Sequence, residues 1–347
     1  MPNPFFYGGR IQPANFIGRE AELRRIFAAL EIAYSEQIQS ISIVGPRRSG
    51  KSSLLYYVTQ IYRKSLSQPE KYRFVYIDLD DPRCHTLGGL LLFILNELGS
   101  NLFSSSLNHP SLRNLPENDQ IKVPYPNLVD FQRIIDTLTH EQNLYIVLCL
   151  DEFEHLIKRK SEFPDEVFET WRSMANSGRV AFLTASQTPL SDLTRQGNLT
   201  SPFYNIFQPI YLDNFTKTEA LSLLDRGKKC DRPFTEEECD SILRLVGTNP
   251  AMLQMASSLL YEAKAEKTVD WNALKRQLHE QTDAKKKIET QLLVKKPIGF
   301  LAISILVSIG SITGLIGGLT QVTLLIIVGI FLMVLAFILS LYRIMRA

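Results

Sequence analysis

The chain has 347 residues, 45% hydrophobic and 21% charged, enough for one large or two ordinary domains with a sizeable core. All 36 acidic residues and every basic residue except Arg343 and Arg346 lie before Pro297, so the front part is formally neutral and the net +2 comes from the far end. That balance gives no electrostatic reason to expect nucleic-acid binding beyond a small basic patch, and four scattered cysteines without CxxC spacing read as thiols in a reducing compartment.

The opening "MPNPFFYGGR" lacks a basic segment followed by an apolar core and is not a secretory signal. Glu20 to Ala33 carries Leu23, Ile26, Phe27 and Leu30 at helical spacing. "SISIV", Ser40 to Val44, reads as a buried strand ended by Gly45. The next eight residues, "GPRRSGKS", Gly45 to Ser52, fit G-x-x-x-x-G-K-[ST] between a predicted strand and a predicted helix. In such a loop the residues Gly45, Pro46, Arg47, Arg48, Ser49, Gly50, Lys51, Ser52 and Ser53 surround phosphate. Backbone N–H groups point at its oxygens and the helix N-terminus adds positive potential. Lys51 is expected to reach the β- and γ-phosphates and Ser52 to ligate Mg²⁺.

Further strands are predicted at 73–79, 144–150, 179–185 and 208–212, with helices at about 51–64, 87–100, 129–141 and 164–177. Alternating strands and helices predict an α/β domain with a largely parallel sheet covered on both faces. Residues 101–128, rich in Ser, Asn and Pro, read as a surface excursion. The run "LYIVLCLDEFE" ends an apolar strand in Asp151 and Glu152, at the strand end where parallel sheets place ligands. Asp151 suits a Mg²⁺ role, directly or through water, and Glu152 is placed to orient or deprotonate an attacking water. The acidic pair favours hydrolysis over mere binding. With no NKxD or DxxG signal, the expected cofactors are ATP and Mg²⁺. The five histidines show no metal-ligand spacing, and His155 reads as a helix-surface residue.

After residue 214 the strands stop. "TKTE" at 216–219 and "TEEE" at 235–238 are capping-box starts, and helices are expected at about 217–227, 236–246, 250–264 and 271–281. The division is therefore a P-loop domain over 1–214, a small helical domain over 215–284, a basic segment over 285–297 and an uncharged tail over 298–342. As one helix those 45 residues would run about 67 Å, more than twice the hydrocarbon thickness. A break at "GGLTQ", Gly317 to Gln321, leaves about 20 residues on each side, so two transmembrane helices are predicted. A buried hairpin in a soluble core is the competing reading. Lysines precede the first span and Arg343 and Arg346 follow the second, which predicts a multi-pass protein of the cytoplasmic (inner) membrane, with the front domain and both termini in the cytoplasm. Gly310, Gly314 and Gly318 share one helix face, which either packs span on span or subunit on subunit, or fills a tight hairpin.

"NFIGREAEL" (Asn15 to Leu23), "GPRRSGKSSLL", "LDEFEHL" and "GTNPAMLQMA" (Gly247 to Ala256) together resemble bacterial and archaeal P-loop ATPases of the STAND and Orc/Cdc6-like AAA+ group, over roughly residues 10–264. The resemblance implies that Phe16, Ile17, Gly18 and Arg19 lie close to the adenine, and that Pro250, in a helical lid, faces the nucleotide. It also implies a sensor region at "TASQ", where Ser186 or Gln187 reads the γ-phosphate, and a finger at Arg195 that reaches a neighbour's site. An arginine frequent in STAND proteins is missing from that sensor region, and no long C-terminal sensor repeats follow the lid. The resulting expectation is a membrane-anchored ATP-hydrolysing switch in signalling or defence. It would form a homo-oligomer on ATP binding and answer to an unidentified protein trigger. Two alternatives stand beside it: an AAA+ motor or loader acting on protein or DNA at the membrane face, and a nucleotide-binding scaffold with little turnover.

Overall fold

Five short aliphatic runs assemble into one parallel sheet: β1 (Ser40–Val44), β2 (Tyr72–Asp78), β3 (Tyr145–Asp151), β4 (Val180–Ser186) and β5 (Phe207–Tyr211), in the order β5-β1-β4-β3-β2. The structure, a computed structural model, describes residues 3–32, 37–106, 125–266 and 269–280. Central strands are buried on both faces, so they read as continuous apolar runs, and the pleat sorts their side chains between two cores. Ile146, Leu148 and Leu150 of β3 enter one core, while Val147 and Cys149 enter the other.

In chain order the helices around the sheet are α1 (Glu20–Leu30), α2 (Lys51–Ser65), α3 (Leu87–Ser106), α4 (Leu128–Asp136), α5 (Glu154–Lys158), α6 (Asp165–Asn176) and α7 (Leu190–Gln196). Ile26 and Leu30 of α1 and Leu54, Leu55 and Val58 of α2 fill the core on one face. On the other face Phe153, Phe168, Trp171, Phe182 and Phe203 form an aromatic cluster, with Trp171 stacked on Phe182 at 5.2 Å. The five predicted strands are all present, within one residue of the expected ends. The short helix α7 falls where no element was predicted, and α5 was foreshadowed only by the reading of His155 as a helix-surface residue, because one or two turns give too little periodicity to see. The expected helix over 129–141 changes to a π-turn over Thr137–Glu141, where the Thr139 hydroxyl donates to Ile135 O at 2.9 Å.

Beyond β5 lie α8 (Lys217–Lys228), α9 (Glu236–Val246), α10 (Pro250–Ala263) and α11 (residues 271–280). Both predicted capping boxes form, Thr216 with Glu219 and Thr235 with Glu238. These helices enclose a third core of Leu223, Leu224, Ile242, Leu253 and Leu260, and Phe5 from the chain start is buried in it. Among the described residues no helix is long and apolar enough to cross a membrane. The basic segment 285–297 and the expected hairpin over 298–342 lie outside the described residues.

Candidate functional site

The ends of β1, β3 and β4 share one edge of the sheet, and the site is built there. Gly45 follows β1 with its N–H on Ser186 O at 3.1 Å, and a Cβ at this position would sit 2.8 Å from Ser49 Oγ and 3.0 Å from Leu212 O. Only glycine fits such an approach. Arg48 (φ 65°) and Gly50 (φ 93°) are left-handed, which curls the loop and delivers Lys51 as the first residue of α2. The Lys51 ammonium is buried inside the curl and donates to Gly45 O at 2.9 Å and Pro46 O at 3.0 Å. Burial lowers its pKa, opposed by the carboxylates of Glu152, Glu154 and Asp151. Pro46 and Arg47 are exposed, and the buried Ser49 hydroxyl has no hydrogen-bond partner.

Asp151 closes β3 and is buried. Tyr76 of β2 stands beside Cys149 of β3, so its side chain shares a sheet face with Asp151 two residues on, and its phenol donates to Asp151 Oδ2 at 2.6 Å. Ser52 also hydrogen-bonds the Asp151 side chain, and Glu152 N donates to Asp151 Oδ1 at 3.1 Å. Burial raises the Asp151 pKa, while the bonds from Tyr76 and Ser52 hold it down. Burial and the Asp151 charge push the Tyr76 phenol far above its ordinary value, so it remains a donor. Glu152 has left-handed backbone (φ 53°), and its pKa is raised by burial and then by Glu154 and Asp151, which suits a proton acceptor.

Ser186 is fully buried and its hydroxyl donates to Thr188 O at 2.7 Å, a bond that a γ-phosphate would have to replace. Gln187 is half-buried beside it, and its N–H donates to Glu154 Oε1. Glu154 Oε2 is buried without a partner. Arg195 on α7 is 82% exposed and 3.9 Å from Asp192, on the surface where a neighbour could meet it. His155, expected on a helix surface, does lie on α5, but it is half-buried with Nε2 3.0 Å from Asp80 Oδ1.

The box before α1 divides its tasks. Phe16 stacks on Tyr57 at 4.0 Å, Ile17 packs on the core of the helical unit, and Gly18 (φ 73°) lies against Glu219. Arg19 is 3% exposed and turned inward. It donates to Ser49 O at 3.0 Å and Asp213 O at 2.7 Å, pairs with Glu22 at 3.2 Å and lies 4.9 Å over the Phe215 ring. Its guanidinium is thus committed to the loop backbone and the lid rather than presented to a base. Pro250 is buried at the start of α10, behind the Asn249 cap. Sequence reasoning missed Tyr76, Glu154 and Glu219. Glu154 left a signal as the third carboxylate of "LDEFE", and Glu219 left one only as the acid of the "TKTE" capping box.

The site passes a chemical test for ATP and Mg²⁺. The loop has no room for a Cβ at Gly45, holds an unpartnered buried hydroxyl at Ser49, and encloses an ammonium. Ser52 and Asp151 bring together the hard oxygen donors that Mg²⁺ takes. The architecture is a parallel-sheet α/β P-loop fold.

Comparison with known proteins follows the same lines. A family model described as "ATPase domain predominantly from Archaea" matches residues 16–256. An uncharacterised HTH-type transcriptional regulator of Methanocaldococcus jannaschii is 25% identical over 264 residues, 67% of this chain and 61% of that one, so the chain spans about three fifths of that relative. A Walker-type ATPase of Pyrococcus abyssi superposes with a TM-score of 0.62 at 18% identity, covering 84% of this chain and 80% of that one. The ORC2 protein of Aeropyrum pernix in ADPNP–ADP complexes gives 0.56 at 14% identity, covering 80% and 71%. At these identities the structural likeness concerns the fold.

Proposed function

The chain belongs to the family of ATPase domains found predominantly in Archaea, and from that premise we propose that it binds and hydrolyses ATP as an AAA+-like switch tethered to the cytoplasmic membrane. The observation that carries the ATPase reading is the joined pair of Ser52 and Asp151, beside a loop that holds Lys51 in its curl. Lys51 neutralises phosphate charge, and the loop N–H groups fix its direction. Mg²⁺, held by Ser52 and the Asp151 carboxylate, supplies further positive charge at the phosphate oxygens when bound. Glu152 orients a water and accepts its proton, helped by the raised affinity for protons that burial and two neighbouring carboxylates give it. Turnover that survives Lys51→Ala in the purified full-length chain would defeat this reading.

Tethering rests on composition alone: 45 uncharged residues follow a lysine-rich segment. The assignment to signalling or defence, with the hairpin as anchor or membrane-active effector, and STAND character follow the motif resemblance. Assembly into a homo-oligomer on ATP binding belongs to the same proposal. The mass of detergent-purified Glu152→Gln protein in ATP and in ADP tests it: a larger particle only in ATP supports assembly, and one mass in both states removes it.

A further inference from the structure

Residues Asn3 to Ile11 run between the lid helices and the sheet, anchored at both ends. At the lid, Asn3 Nδ2 donates to Ser258 Oγ at 2.8 Å, Phe5 is buried with its ring 5.4 Å from Phe234, and Phe6 N donates to Gln254 Oε1 at 3.2 Å. At the other end, Ile11 N donates to Ser53 Oγ in the first turn of α2 at 3.1 Å, one residue past Ser52. The Arg10 guanidinium lies 4.6 Å from the centre of the Tyr76 ring and 5.1 Å from that of Tyr56. The two rings meet edge to face at 5.6 Å. Between the anchors only Gly8 and Gly9 are free of bulk, and both are exposed.

We propose that Tyr76 is a positioning residue for Asp151, and that the strap Asn3–Ile11 transmits the position of the lid to the Mg²⁺ site through Arg10 and Tyr76. The inference rests on the ATPase reading and names how that site is regulated. A phenol donating to a carboxylate fixes the rotation of the carboxylate and leaves its other oxygen in a set direction. Partners that orient a ligand in this way typically carry about 10–100-fold in metal affinity or activity. Arg10 holds the Tyr76 ring by a cation–π contact. The five residue steps from Phe5 to Arg10 reach at most about 18 Å when extended, so a lid displacement is taken up at Arg10 once the glycines straighten.

The test uses the full-length protein, and ADP binding by calorimetry with and without Mg²⁺, alongside turnover across a Mg²⁺ series. Tyr76→Phe keeps the ring and removes the donor. It is expected to leave Mg²⁺-free ADP affinity within about twofold of wild type while raising the Mg²⁺ requirement about tenfold or more. Arg10→Ala and a four-glycine insertion between Gly8 and Gly9, which leaves every anchor intact, are expected to shift the Mg²⁺ requirement in the same direction. A mere space-filling role for Tyr76 predicts no Mg²⁺-specific change. A wild-type Mg²⁺ dependence in Tyr76→Phe overturns the positioning role. A shift in Tyr76→Phe without one in the insertion variant overturns transmission through the strap. If wild type neither binds ADP nor turns over ATP, the ATPase reading itself fails, and this inference falls with it.

Discussion

Replacing Arg19 by alanine isolates a contact that no local pattern predicts. The guanidinium is 3% exposed and donates to two main-chain carbonyls, Ser49 O and Asp213 O. Each charged hydrogen bond contributes about 1.5–3 kcal/mol, and its loss leaves a carbonyl without that donor. The contact with Phe215 adds about 0.5–1 kcal/mol and the partly exposed pair with Glu22 under about 1 kcal/mol. Because such terms overlap, the expected loss is about 3–5 kcal/mol rather than their sum. Residue 19 has φ 63°, which alanine tolerates no better than arginine but glycine accepts freely. Arg19→Gly should therefore recover about 1 kcal/mol of what Arg19→Ala loses. Urea unfolding followed by tryptophan fluorescence, from Trp171 of α6 in the core beside the sheet and from Trp271 on the helical unit, reads both values. ADP affinity should fall as well, since Ser49 O holds the shape of the phosphate loop. A loss below about 1 kcal/mol in Arg19→Ala would refute the claim that this side chain ties loop to lid.

Three further outcomes are expected. Although burial opposes it, hydrogen bonds from Arg19 N, Thr216 N and the Thr216 hydroxyl keep Glu219 below the ordinary glutamate pKa of 4.5. A depressed folded value stabilises fully above the unfolded pKa and is lost as pH falls through the folded one, so wild type should lose more thermal stability than Glu219→Gln on acidification below 4.5. Gly227→Ala would place a Cβ 2.3 Å from a Phe234 ring carbon, and the clash should outweigh the helix-propensity gain, for a net loss of about 1–2 kcal/mol in urea unfolding. Adding Phe234→Leu should recover part of that loss. Glu154→Ala leaves Gln187 N–H unpaired and should cost about 1–3 kcal/mol, whereas Glu154→Gln keeps an acceptor and should cost under about 1 kcal/mol by the same measurement.

The sheet and the phosphate loop were legible because their signals are local. A buried parallel strand needs an unbroken aliphatic run, and "SISIV" or "LYIVLCL" can do little else. The two capping boxes were legible for the same reason, since donor and acceptor lie three residues apart. The partners of Asp151 were not. Tyr76 is separated from it by 75 residues and meets it only because β2 pairs with β3 in one register. Arg19 donates across 194 residues to Asp213 O, so its motif marked the residue as important without showing which way it pointed. Ser186 was marked as a phosphate sensor by its place at the end of β4, but the local pattern did not show that its buried hydroxyl also has a partner within the chain, Thr188 O.

The lid is joined to the phosphate site by two linkages of different stiffness. Arg19 forms the first, with Glu219 accepting from its main chain and Phe215 beneath its guanidinium; it is buried and ends on Ser49 O of the loop. The second is the strap, exposed at Gly8 and Gly9, which ends at Ser53 and, through Tyr76, at Asp151. A buried, multiply bonded contact has two discrete arrangements, made or broken, whereas a glycine-hinged strand yields gradually until it is taut. A lid movement that straightens Gly8 and Gly9 without breaking the Arg19 contact should therefore leave the loop shape intact and act through the strap on Asp151, the carboxylate proposed to serve Mg²⁺. Nucleotide could then stay bound while the metal site changes, which is the order of events a switch needs if hydrolysis is to answer to the lid.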